Sequence, residues 1–138
     1  MIDPKDLFNF FKDNKIINFI GVPDSLLKNF CFFIDDNVDS KEHLITAHEG
    51  SAVSLAAGIF LGSKKISVIY MQNSGLGNAV NPLLSLADKS VYSIPMLLMI
   101  GWRGEPGIKD EPQHIKQGEV TEQILKTLSI PYIIIDSK

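Results

Sequence analysis

Apolar positions recur along this chain in two rhythms, helical spacings of three and four and short β-branched runs, separated by polar or glycine/proline punctuation. Leu7, Phe8 and Phe11 follow Asp3-Pro4, a capping residue and a proline at the first helical position, and predict an amphipathic helix over residues 4–14. Residues 16–22 read as a short, mostly apolar strand, the kind that suits a parallel sheet covered on both faces. Leu26, Leu27, Phe30, Phe33 and Ile34 mark a second helix capped by Asp24 or Ser25, with Phe32 off its stripe and Cys31 inside it as a buried thiol. A strand over 44–47 hands over to a small-residue helix over about 49–61, and a third strand covers 66–71. A glycine-containing corner then precedes a helix over about 79–88, and 94–101 reads as a fourth strand. Residues 102–117 show no clear period and read as a long loop, 118–128 as a helix and 131–135 as a final strand.

This alternation of helices and strands predicts an α/β fold: one three-layer domain over residues 1–138, a mostly parallel sheet flanked by helices with right-handed crossovers. The chain has 138 residues, enough for one domain with a real core. Its net charge of −3 argues against nucleic-acid binding, which wants a basic face. No apolar run approaches the ~20 residues of a membrane span, and no signal-peptide pattern opens the chain. A single cysteine excludes an intrachain disulfide framework and fits a reducing, cytoplasmic setting.

The segment Gly75-Leu76-Gly77-Asn78-Ala79-Val80 nearly spells a dinucleotide fingerprint, but Val80 replaces its third small residue and it follows the third predicted strand. It reads either as a tight turn or as a backbone contact for a ligand at a helix start. His43, His48 and His114 lack metal-ligand spacing; His43 reads as a solvated loop residue. His114 lies in the long loop, where proton transfer is open to it. Glu49 sits where a strand hands over to a helix, the end of an open α/β sheet at which ligands bind. On local grounds alone the preferred reading is a first-turn acid favoured by the helix dipole.

Four blocks, Gly21-Val22-Pro23-Asp24-Ser25-Leu26-Leu27, Glu49-Gly50-Ser51-Ala52-Val53, Tyr70-Met71-Gln72-Asn73-Ser74-Gly75-Leu76-Gly77-Asn78 and Gly101-Trp102-Arg103-Gly104-Glu105-Pro106-Gly107, taken together with Asp110-Glu111-Pro112-Gln113-His114, resemble the N-terminal pyrimidine-binding domain of the thiamine-diphosphate-dependent phosphonopyruvate decarboxylases. The α chain of sulfopyruvate decarboxylase is the alternative. The resemblance implies thiamine diphosphate and Mg2+ as cofactors and a small 2-oxo acid as substrate. Phosphonopyruvate would give phosphonoacetaldehyde and CO2. It implies that Glu49 is catalytic, hydrogen-bonding N1′ of the aminopyrimidine, with Gln72, Asn73 and Gly75 at the pyrimidine edge. Asp24 and Ser25 then face the substrate or merely cap a helix. Gln113 and His114 contact substrate or carry a proton, and Arg103 pairs with the acid group or fixes its loop. The diphosphate and metal would be held by a second domain or subunit with a Gly-Asp-Gly…Asn signature, which nothing here matches, so no metal ligand is assigned to this chain. A homo-oligomer, inactive without that complementary half, is the expected setting. The rival classes are a non-catalytic α/β binding or regulatory module, with Glu49 turned outward, and a nucleotide-binding enzyme.

Overall fold

The computed structural model describes residues 2–135. Helix α1 (Pro4–Asp13) starts as its sequence dictates: Asp3 Oδ1 accepts from the Lys5 amide at 2.7 Å, and Pro4 takes the first helical position. Four parallel strands follow, β1 (Asn18–Gly21), β2 (His43–Ile45), β3 (Ser67–Gln72) and β4 (Leu97–Gly101), in the spatial order β2-β1-β3-β4. Helix α2 (Lys28–Asn37) joins β1 to β2, and α3 (Glu49–Ser63) joins β2 to β3. A single 3-10 turn, Asn73–Gly75, opens α4 (Leu76–Pro82), which relaxes into a wide π-type turn over Leu83–Ala87. Helix α5 (Pro112–Thr127) closes the set.

Side-chain alternation along the strands divides the core in two. Phe19, Val68 and Tyr70 face Phe11, Phe30 and Ile34 of α1 and α2. Ile20, Ile69 and Met71 face Ala52, Val53 and Ala56 of α3, Leu76 and Ala79 of α4 and Leu125 of α5. The alanines let α3 lie close on the sheet, as its small-residue pattern predicts. The α/β, three-layer expectation therefore holds. Because every strand is parallel, all four share one C-terminal end, and Asp24, Ser25, Glu49, Asn73, Gly75 and Arg103 follow the strands there while Gln72 ends β3.

Several boundaries differ from the sequence reading. Helix α2 starts later than a cap at Asp24 or Ser25 implies. Asp24 Oδ2 accepts from the Leu26 amide, and its carbonyl accepts from Leu27, so a tight turn uses donors a helix would need. The loop read over 102–117 is helical from Pro112, a proline that starts a helix rather than breaking one. The helix read over 79–88 begins one turn sooner, at Leu76. Residues 131–135 form no strand: Tyr132 donates its hydroxyl to Glu122 on α5 and packs on the core, while Ile133, Ile134 and Ile135 are exposed.

His43 is not a solvated loop residue. It lies in β2 with its side chain 7% exposed, and its Nε2 meets the Tyr70 hydroxyl at 2.8 Å on the sheet's aromatic face. Burial lowers its pKa, and Asp35 opposes that only in part. The folded state thus binds fewer protons at this ring than the unfolded chain does. Its contribution is complete above the unfolded value of about 6.5 and is lost as pH falls below it. We expect the melting temperature to drop on acidification from pH 7 to 5.5 and His43→Gln to flatten that slope. An unchanged slope in the variant would assign the acid sensitivity elsewhere.

Candidate active site

Two clusters stand at the shared strand exit. The first is built on Glu49, the first residue of α3, preceded by His48 in extended backbone. Glu49 is only 8% exposed. Asn78, one turn into α4, donates its Nδ2 to Glu49 Oε2 at 2.8 Å. Oε1 receives no hydrogen bond from any described residue. The carboxylate lies flat over Gly75, where a Cβ would stand 2.4 Å from Glu49 Cγ and Cδ. Glycine is required there by close approach, since its φ of −67° suits any residue. The corner that half-spells a nucleotide fingerprint is therefore a seat for a carboxylate.

The second cluster joins the exits of β1 and β4. Asp24 reaches across β3 to the end of β4, where a Cβ on Gly101 would come within 2.1 Å of its Oδ2. Asp24 is buried, and its Oδ1 has no hydrogen-bond partner among the described residues. An unsatisfied buried carboxylate oxygen is costly. Arg103, just beyond β4, donates Nη1 to Ser25 Oγ at 2.8 Å. It donates Nε to Asp110 Oδ2 at 2.9 Å and Nη2 to Asp110 Oδ1. Asp110 also accepts the Gly104 and Glu111 amides, and its Oδ1 lies 2.9 Å from His114 Nδ1. Arg103 and then His114 hold the Asp110 carboxyl far below the usual carboxylate range, while Asp110 raises the Arg103 pKa. His114 occupies the first turn of α5 next to Gln113, whose side chain is exposed and makes no hydrogen bond to another described residue.

A buried amide ties the two clusters together. Asn73 donates Nδ2 to the Arg103 carbonyl and to Thr121 Oγ1, both at 2.8 Å, and its Oδ1 accepts the Arg103 amide. Its side chain thus braces β3, the loop after β4 and α5 within the fold. Gln72 donates Nε2 to Ser74 Oγ at 2.7 Å at the same exit. Two partners escaped the sequence reading, Asn78 on Glu49 and Asp110 on Arg103 and His114. The Asp110–His114 spacing of four, across a proline that starts a helix, is the signal that points to the latter. Among the described residues no group of three or more His, Cys, Asp or Glu is arranged to hold a metal, and no helix is long and apolar enough to cross a membrane.

Residues 5–125 match the family described as thiamine pyrophosphate enzyme, N-terminal TPP binding domain. Phosphonopyruvate decarboxylase of Streptomyces viridochromogenes is 35% identical over 135 residues, 98% of this chain and 33% of that protein. The sulfopyruvate decarboxylase subunit alpha of Methanococcus maripaludis is 37% identical over 112 residues, 81% of this chain and 64% of that protein. The chain therefore spans a third of the first relative and less than two thirds of the second. The benzoylformate decarboxylase structure from Polynucleobacter necessarius superposes with a TM-score of 0.60 at 20% identity over 86% of this chain and 23% of that one, a likeness of fold.

Proposed function

Since the chain belongs to the thiamine pyrophosphate enzymes, as their N-terminal TPP binding domain, we propose that it is the pyrimidine-binding half of a decarboxylase that converts phosphonopyruvate to phosphonoacetaldehyde and CO2. The observation that carries this reading is Glu49: a buried carboxylate at a strand exit, held by Asn78 through one oxygen and left free at the other. That arrangement fits an aminopyrimidine ring. With Oε2 engaged as an acceptor, a proton shared with the ring nitrogen N1′ belongs at Oε1. Gly75 borders the same position, and Gln72 ends the strand that leads to it. Bound thiamine diphosphate supplies the electron sink that makes loss of CO2 from a 2-oxo acid feasible.

The residues of this chain do the rest. Glu49 holds the proton at N1′. Asp24, buried where β1 leaves the sheet, backs the substrate side of the site next to Ser25. Arg103 and Ser25 present a guanidinium and a hydroxyl toward the strongly acidic head group of the substrate, and His114 carries a second proton. The diphosphate and Mg2+ belong to a complementary domain or subunit, with the cofactor between the two halves of an oligomer. The relatives' greater length supports this reading.

A sulfopyruvate decarboxylase is the second reading, favoured by the α-subunit relatives at 33–39% identity. The test is reconstitution with the complementary half, thiamine diphosphate and Mg2+, followed by CO2 release from phosphonopyruvate, sulfopyruvate and pyruvate. We expect turnover only with both halves present and the highest kcat/KM for phosphonopyruvate. A preference for sulfopyruvate selects the second reading, and no release from any of the three rejects both.

A further inference from the structure

We propose that Asp110 is a positioning residue that fixes His114 as its Nδ1–H tautomer and aims Arg103 at Ser25, so that imidazole and guanidinium meet the substrate as one preset unit. This deepens the decarboxylase reading and rests on it for the identity of the substrate. The geometry is a saturated carboxylate. Its two oxygens lie within hydrogen-bond distance of Arg103 Nε and Nη2, the Gly104 and Glu111 amides and His114 Nδ1. A carboxylate is an acceptor only, so the ring nitrogen facing it must carry the proton. Nε2 is then the ring atom left to accept or give a proton. The same oxygens hold the guanidinium fork on two of its nitrogens, and the third, Nη1, goes to Ser25.

The support beneath the clamp is equally built. Trp102 donates Nε1 to the Gly118 carbonyl at 2.9 Å, and Gly104, at φ +67°, lies against the backbone of His114 and Gly118. The loop carrying Arg103 and the helix carrying His114 are thus locked together around Asp110. The Asp110 side chain is 13% exposed, and the hydrogen bonds from Arg103 and His114 hold its carboxyl far below the usual carboxylate range.

The tautomer is read directly from two-bond 1H–15N correlations of the ring in this chain, the His114 signals being assigned by their loss in His114→Gln. We expect Nδ1 to be the protonated nitrogen in the parent chain. In Asp110→Ala, and in Asp110→Asn, whose shape is the same, we expect the ring to move toward the Nε2–H form that free imidazole side chains prefer. In the reconstituted enzyme both variants should lose about 10²-fold in kcat/KM, the scale of a misplaced catalytic group, with thiamine diphosphate affinity unchanged. Asp110→Glu should restore part of both readouts. An unchanged tautomer in both variants, or full kcat/KM in Asp110→Ala, would overturn the proposal. If the parent enzyme decarboxylates none of the three acids, the substrate reading fails, yet the tautomer shift still decides the role of Asp110.

Discussion

Replacing Glu49 by Gln in the reconstituted enzyme is expected to lower kcat about 10²–10⁴-fold, the usual contribution of a positioned proton donor or acceptor, while the chain keeps its melting temperature within a few degrees. The amide is the same size and still accepts the Asn78 hydrogen bond through its oxygen. What it loses is an atom able to hold and return a proton. Gly75→Ala is the matching experiment, because it leaves the carboxylate in place chemically but not spatially. Its Cβ would collide with Glu49 Cγ and Cδ, and a flexible side chain gives way more readily than backbone. Glu49 should therefore swing aside and give up its Asn78 hydrogen bond, and kcat should fall about 10²-fold although every ionisable group is present. Full activity in Glu49→Gln would remove Glu49 from the chemistry. Full activity in Gly75→Ala would show that its position over the glycine does not matter.

How far the sequence foretells this site depends on which contacts are local. Glu49 at the head of α3 was legible, since a β-branched strand followed by a small-residue helix defines that handover. So was the α/β alternation, with each periodic run long enough to declare itself. His43 was misread because burial by Tyr70 comes from a strand 27 residues away, which no local pattern records. The sequence reading starts this helix too late because Pro112 looks like a breaker and Gly118 stands as its first residue rather than in its interior. Proline is harmless at a first helical position, and Gly118 is excused by Gly104, a contact invisible in one dimension. The apolar run 131–135 has strand composition, yet Tyr132 finds its partner on α5, and tertiary context overrides propensity. Asn73 shows the same limit at the site itself. Its block resembles a cofactor-binding corner, while its amide is spent bracing Arg103 and Thr121.

Gly118→Ala should destabilise the chain and disable the Arg103–His114 unit together, against the ordinary expectation for a helix interior. Exchanging glycine for alanine inside a helix normally stabilises by up to about 1 kcal/mol. Here a Cβ would stand 1.6 Å from the Gly104 carbonyl oxygen and 2.1 Å from its carbon. Both are backbone atoms in a loop pinned by Asp110 and by the Trp102 indole, so neither can yield alone. Relief requires α5 to move off the loop. Overpacking of this kind costs about 1–3 kcal/mol, enough to reverse the sign of the propensity gain. The displacement also pulls Thr121 from Asn73 and His114 from Asp110, because both residues ride on α5. Thermal denaturation should therefore show a lowered midpoint, and kcat/KM of the reconstituted enzyme should fall about 10²-fold at temperatures where the variant is still folded. A raised midpoint would mean that the helix propensity gain prevails and the loop adapts freely. The rigid union of the strand β4 exit with α5 would then not be what holds Arg103 and His114 in register.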